Sequence, residues 1–283
     1  MRLHFTKLDG AGNDFVALDW REHPAMDDAE LARVARALCD RHRGVGADGL
    51  LVLEEAPAGL PVHFAMRYIN RDGSIGEMCG NGARCMAVFA WHRGAAPAAM
   101  RFRTDAGIHE AEIREGGARV SFPDIDALPL EHTLAGASQA GQKALFLRVG
   151  VPHAIRFVED IDMIDVFQVG REIRHDPAFA PKGTNANFAE WTGEHLRVRT
   201  YERGCEEETL ACGTGSVAAA CCHLWRTGHR GAATVTVLPT GGVPLTIDAE
   251  ATGTGFRAVR LGGHARMVFD GSCTLGPSGE VTR

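Results

Sequence analysis

The sequence predicts an α+β chain in which short strands outnumber helices and one unit is used twice. Three observations carry this. Apolar runs of strand length recur along the 283 residues, whereas four stretches have helical spacing. These helices do not alternate with single strands, so the pattern is not the βαβ order of a doubly wound sheet. Finally, Cys79-Gly80-Asn81-Gly82-Ala83 opens one helical stretch, and Cys212-Gly213-Thr214-Gly215-Ser216 opens another 133 residues later, close to half the chain.

The elements follow in order. Leu3–Lys7, Phe15–Leu18, Leu50–Leu53 and Val62–Ile69 read as strands. Asp28–Arg41 reads as an amphipathic helix, with Leu31, Val34, Ala35 and Leu38 on one face and Asp27 as N-cap. A helix from about Asn81 to Arg93 stops at Gly94. Met100–Thr104 and a hairpin of Ile108–Arg114 with Ala118–Phe122 close the first half. Pro123–Gln142 has little periodicity and reads as a linker. Beyond it come strands Leu145–Val149 and Ala154–Val158, a helix Met163–Arg174, strands Asn187–Trp191 and Leu196–Tyr201, and a small-residue helix Thr214–Arg226. Four more strands end the chain.

Composition narrows the function. The net charge is −6, with no basic footprint for nucleic acid. Neither a signal peptide nor an apolar stretch of about 18 residues is present, which predicts a soluble, cytoplasmic chain off the membrane. Eight cysteines in such a chain read as thiols, and without a C-x-x-C pair they do not read as a zinc site. Gly44-Val45-Gly46-Ala47-Asp48-Gly49 matches G-x-G-x-x-G, but it follows a helix and precedes a strand, the reverse of a dinucleotide site. Only Lys7, Lys143 and Lys182 could form a Schiff base, and none lies in the Cys-Gly-x-Gly segments. Chemistry without cofactor or metal is the expectation.

A cysteine followed by Gly-x-Gly at a helix start has a physical use. Free N–H groups and the positive end of the helix dipole attract a carboxylate. The same field favours a thiolate. Two such elements could grip one carboxylate and set a sulfur on each side of the adjacent carbon, one removing the α-proton and the other delivering one. The plainer reading is two glycine-rich turns with buried cysteines. Glu202 and Arg203 could meet an ammonium and a carboxylate, or form a surface ion pair. The Asn- and Gly-rich segments at 10–15, 69–74 and 183–188 are turns, or amides converging on a zwitterion. His153 is structural or holds charge near a thiol. Cys39, Cys85, Cys205, Cys221, Cys222 and Cys273 read as structural or incidental.

Taken together, Lys7 to Phe15, Asn70 to Ser74, Glu77 to Cys85, Pro152-His153, Asn185 to Phe188 and Tyr201 to Gly215 closely resemble the diaminopimelate epimerase family. The resemblance implies interconversion of LL- and meso-diaminopimelate without pyridoxal phosphate or metal, in lysine and peptidoglycan-precursor biosynthesis. It implies two pseudo-symmetric domains, each a curled, mostly antiparallel sheet around a central helix, with the site in the cleft between them. The halves expected are residues 1–123, joined by the last strand at about 266–283, and residues 124–265. By position, Cys79 and Cys212 become the acid/base thiols, tuned by His153 and Glu202. Asn13, Asn70, Asn185, Glu202 and Arg203 become substrate contacts, and the backbones of Gly80-Asn81 and Gly213-Thr214 hold the α-carboxylate. The partner expected is a small amino acid, and a homodimer is left open. Gly49 and Val151 depart from many members, which carry substrate-binding Gln and Asn there. The loop Gly204 to Glu208 is one residue longer than in some members. Two other readings are a related racemase, of histidine for instance, and a non-catalytic binding protein on the same fold.

If the two sulfurs serve opposite faces of one carbon, an empty site lets them close to a disulfide, about 2.05 Å between sulfurs. The expected outcome is loss of activity in air, recovery with a thiol reductant, protection by substrate, and a Cys79–Cys212 linkage by mass spectrometry. Inactivation through Cys221 or Cys222, with Cys79 and Cys212 free, would refute that facing geometry.

Overall fold

Residues 1–19 fold as a tight hairpin. Strand β1 (Arg2–Gly10) and strand β2 (Asn13–Asp19) pair antiparallel, and their turn uses Ala11 and Gly12 at φ 60° and 89°. Helix α1 (Asp28–Cys39) then carries the chain over to β3 (Gly49–Glu54), parallel to β2. Asp27 caps α1 by accepting the Glu30 N–H at 2.8 Å, and Leu31, Val34, Ala35 and Leu38 are buried as their spacing requires. Strand β4 (Phe64–Asn70) returns antiparallel to β3 and pairs with the short β5 (Ile75–Gly76). Helix α2 (Gly80–His92) leads to β6 (Ala99–Thr104), parallel to β4, and then to β7 (Gly107–Arg114) and β8 (Gly117–Ser121), each antiparallel to its predecessor.

The computed structural model describes residues 1–76, 78–136, 138–276 and 280–282. Glu77 of the Glu77–Cys85 motif, and residues 277–279 and 283 of the expected last strand, lie outside them. The chain divides into two compact units, Met1–Val120 with Gly263–Arg283, and Ser121–Gly262. In the first unit, strand Arg266–Leu275 runs antiparallel along β1.

Helix α2 is apolar on nearly every side, which marks a helix enclosed by its neighbours rather than laid on a surface. It packs against β1, β2, β3, β7 and strand Arg266–Leu275, so the sheet curls around it. Leu8, Phe15, Leu51, Phe64, Met86, Phe89 and Phe102 share this core. The alternate residues Val16, Leu18, Leu50 and Val52 face outward onto α1, with Leu31, Val34 and Leu38. Central strands β2 and β3 are thus covered on both faces and read as continuous apolar runs.

The second unit repeats this order. Strands β9 (Leu130–Thr133), β10 (Lys143–Val149) and β11 (Val151–Phe157) form an antiparallel set. Helix α3 (Val166–Arg174) crosses to β12 (Asn185–Trp191), parallel to β11. Strand β13 (Leu196–Glu202) returns antiparallel and bears the short β14 (Glu207–Thr209). Helix α4 (Gly213–Arg226) leads to β15 (Gly231–Pro239), parallel to β13, followed by antiparallel β16 (Leu245–Ala251) and then β17 (Phe256–His264). Helix α4 packs against β10, β11, β12, β13, β15 and β16 and is as apolar as α2. From β10 to β16 the sense of each pairing matches its counterpart from β1 to β7, so the duplication reaches well beyond the Cys-Gly-x-Gly segments. The fold is therefore the α+β class expected, a mostly antiparallel sheet curled around a helix, twice.

Two expectations need correction. The 123–142 stretch is not only a linker: Leu130–Thr133 is an edge strand on β10, and Ile125 bridges to Phe256. Its side chains point largely to solvent, so it lacks the apolar alternation that would reveal it. Helix α3 starts at Val166, not Met163; Asp165 caps it through the Gln168 N–H at 3.0 Å, and Met163 is exposed. Among the described residues no helix is long and apolar enough to cross a membrane.

Phe89 sits at the centre of the first core and is 1% exposed. Phe89→Ala is expected to lower stability by about 3–5 kcal/mol in denaturant unfolding. A loss below about 1 kcal/mol would show that this packing does not hold α2 in place.

Candidate active site

Both Cys-Gly-x-Gly segments fold as expected from their chemistry: each cysteine is the N-cap of a central helix. Cys79 has extended backbone, φ −131° and ψ 119°, and its Sγ accepts the Gly82 N–H at 3.4 Å. Cys212 has φ −107° and ψ 108°. Cys79 is half-buried and Cys212 buried. The glycines are needed for close approach. A Cβ at Gly82 would lie 3.1 Å from Leu51 Cδ2, and one at Gly215 would lie 2.5 Å from Asn187 Oδ1 and 3.2 Å from Cys212 Sγ.

In the first unit Asn13, at the start of β2, stands before α2. Its Oδ1 accepts from Cys79 Sγ at 3.7 Å and from Asn81 Nδ2 at 3.4 Å, while its Nδ2 donates to Asp48 Oδ2 at 2.6 Å. Asp48 also takes Arg41 at 2.7 Å, and Arg41 reaches Asp14 at 2.8 Å. Burial raises the Asp14 pKa, but hydrogen bonds and charge from Arg41 and Lys7 outweigh it and bring it down to about 2. Asn70, on β4, is held by Tyr68 Oη (2.6 Å, donated to Oδ1) and by Ser74 Oγ at 3.0 Å. The Tyr68 ring explains Gly49: a Cβ there would lie 2.7 Å from Tyr68 Cε2 and 2.8 Å from Ile69 O.

In the second unit His153, on β11, lies beneath α4. Its Nε2 is 3.0 Å from Thr214 Oγ1, which in turn is 3.6 Å from Cys212 Sγ. Its Nδ1 is 3.3 Å from Asn187 Nδ2. Asn185 ties its own surroundings together, accepting the Arg203 N–H at 2.7 Å and donating to Pro152 O at 3.2 Å. Glu202 Oε2 accepts from Thr209 Oγ1 at 3.0 Å.

Thus Cys79, Asn13, Gly80 and Asn81 come together in one unit, as do Cys212, His153, Gly213 and Thr214 in the other. In the first unit Asn70 ends β4; in the second, Asn185 starts β12, with its carbonyl 3.4 Å from Asn187 Nδ2, and Glu202 ends β13, followed by Arg203. Sequence reasoning missed Asp48, Arg84, Asn187 and the Thr214 hydroxyl. Arg84 is fully buried without a carboxylate among the described residues; it donates to Gly80 O at 3.4 Å and Asn81 Oδ1 at 3.0 Å. Burial works against its charge. A lone arginine inside an apolar helix was the available signal. Five of the other thiols are poor nucleophiles, since burial pushes Cys39 up to about 12 and raises Cys85, Cys221, Cys222 and Cys273; Cys205 is exposed.

Burial pushes the pKa of His153 from 6.5 down to about 3, against the Asn187 hydrogen bond and with help from the Arg203 charge. The folded protein then refuses a proton that the unfolded chain accepts. This contribution is fully present above pH 6.5 and is lost as pH falls towards 3. Between about pH 6 and pH 4, wild-type stability should fall with pH by up to about 1.4 kcal/mol per pH unit more than that of His153→Gln. Equal slopes in denaturant unfolding would refute a buried neutral imidazole.

A sequence profile described as diaminopimelate epimerase matches residues 5–123 and 145–267. A diaminopimelate epimerase of Aquifex aeolicus is 40% identical over 278 residues, 95% of this chain and 97% of that protein. One from Archaeoglobus fulgidus is 40% identical over 295 residues, covering 97% and 98%. Among solved structures, a PhzF-family phenazine biosynthesis protein of Bacillus anthracis superposes with a TM-score of 0.74 at 14% identity, covering 96% of this chain and 99% of that one. A hydroxyproline epimerase of Agrobacterium vitis gives 0.72 at 14%, covering 98% and 94%. These last two likenesses speak for the fold; the profile and the close relatives place the chain in the diaminopimelate epimerase family.

Proposed function

We propose that the protein interconverts LL- and meso-2,6-diaminopimelate by proton transfer between two thiols, in the biosynthesis of lysine and peptidoglycan precursors. The observation that carries this reading is the sulfur at the N-cap of each central helix, in a chain that matches named diaminopimelate epimerases over nearly its full length. One thiolate takes the α-proton, leaving a planar carbanion-like carbon. The other thiol delivers its proton to the opposite face and becomes the thiolate. The electron pair left by the departing proton is shared with the α-carboxylate and forms the new C–H bond when the second thiol delivers its proton. The backbones of Gly80-Asn81 and Gly213-Thr214 would hold the α-carboxylate and stabilise charge spread into it. Asn13, Asn70, Asn185, Glu202 and Arg203 would contact the substrate, with Asn13 and Asn70 at the distal amino-acid group, whose binding positions the reacting carbon; His153 and Glu202 would tune the thiols.

Cys79→Ala and Cys212→Ala should each lose about 10²-fold or more in turnover, since each removes a proton carrier outright. Near wild-type epimerisation by either variant would sink the two-base reading. Exchange of the α-hydrogen in D₂O, with diaminopimelate and histidine compared, tests the substrate. Exchange with diaminopimelate alone is expected. Exchange with histidine would assign the related racemase, and no exchange with either would leave a binding protein.

A further inference from the structure

The Asn187 side chain is fully buried, and its orientation is fixed by its partners. Thr200 Oγ1 donates to its Oδ1 at 3.0 Å, and its Nδ2 donates to Ala154 O at 3.1 Å. The NH₂ group therefore faces both His153 Nδ1 at 3.3 Å and Asn185 O at 3.4 Å; it offers that ring nitrogen only donor hydrogens, so Nδ1 is the side of the ring without a hydrogen. A neutral imidazole that accepts at Nδ1 carries its hydrogen on Nε2. Nε2–H then donates to Thr214 Oγ1 at 3.0 Å. A hydroxyl whose lone pair is taken by that donor has its own hydrogen left for another acceptor, and Cys212 Sγ lies 3.6 Å away.

We propose that Asn187 is a positioning residue for the Cys212 thiol: by fixing the proton on His153 Nε2 it turns the Thr214 hydroxyl hydrogen towards Cys212 Sγ, where it favours the thiolate. Gly215 belongs to the same device, because a Cβ there would lie 2.5 Å from Asn187 Oδ1 and displace the amide. Burial keeps His153 neutral, which the relay requires. Among nearby charged groups, Arg203 acts on His153 and Glu202 takes the Thr209 hydroxyl. On the strands around α4, Lys143 pairs with Glu131, Glu190 with Arg197, Arg199 with Glu208 and Asp248 with Thr234, while burial works against the charge of Arg156 on β11 and Glu250 lies exposed on β16. The inference rests on Cys212 being an acid/base thiol, but it is read without turnover.

The test is the pH profile of Cys212 alkylation by iodoacetamide, followed by peptide mass spectrometry with Cys79 as internal control. Asn187→Asp presents only acceptors to Nδ1, draws the histidine proton there and leaves Nε2 to take the Thr214 hydrogen. Cys212 alkylation below its midpoint should fall about 10-fold, one pKa unit, with Cys79 unchanged. Should that buried carboxylate prevent folding, Thr214→Val removes the last link and predicts the same shift. A folded variant of either kind whose Cys212 profile matches wild type overturns the proposal. So does a wild-type ¹⁵N spectrum with the His153 proton on Nδ1. A protein inactive on diaminopimelate that still shows these shifts would overturn the proposed substrate and leave the relay standing.

Discussion

Everything at the candidate site depends on placing a sulfur at the N-cap of a helix that has no solvent-exposed side. The first turn of a helix leaves N–H groups without partners, and in an apolar interior they demand an acceptor. Cys79 Sγ takes the Gly82 N–H. The geometry holds because α2 and α4 are wrapped by their own sheets, so neither helix start can swing away without opening a core. The glycines answer a different need: at Gly82 and Gly215 the neighbouring strands come too near for a Cβ.

One backbone plan is used twice, but the sulfurs have different company. In the first unit Cys79 donates to Asn13 Oδ1, and Asn81, one turn away, is held by the buried Arg84. At the corresponding positions in the second unit stand Thr214 and Val217. There the polar neighbour is a neutral, buried His153 reached through the Thr214 hydroxyl. A charge in the interior is costly without partners, and each unit meets that cost differently at its helix start, Arg84 in the first and His153 in the second. One keeps its charge and is solvated by carbonyl and amide oxygens; the other gives up its charge.

The sequence displays the elements whose burial is two-sided or strictly periodic. Strands β2 and β3 show as apolar runs because α1 and α2 cover both faces, and the helix of Asp28 onward shows because Leu31, Val34, Ala35 and Leu38 share one face. The two helix-capping cysteines stand out by their Gly-x-Gly context, which by itself leaves both the acid/base reading and the buried-turn reading open. The edge strand at Leu130 is not legible, because its pairing with β10 uses backbone groups while its side chains face water. Asp48 and Asn187 are hidden for a related reason. Each acts through a partner 34 or 35 residues away, Asn13 and His153, and nothing local distinguishes them from ordinary turn and strand residues.

This difference in legibility follows from what duplication preserves. A repeated unit must keep its pairing senses and its helix starts, since a change there breaks the core. It need not keep the polar groups behind each sulfur, because many hydrogen-bonded sets can fill the same space. A two-base reaction makes such freedom useful. In the proposed reaction the two thiols would exchange roles between forward and reverse turnover, so each would need to be stable with and without its proton. Cys79 has an acceptor in Asn13 Oδ1 and a donor in the Gly82 N–H. Cys212 has in Thr214 a hydroxyl that can both accept and donate, with His153 behind it deciding which. The two halves thus meet the same chemical requirement with different residues, and the requirement, more than the residue types, is what the repeated backbone serves.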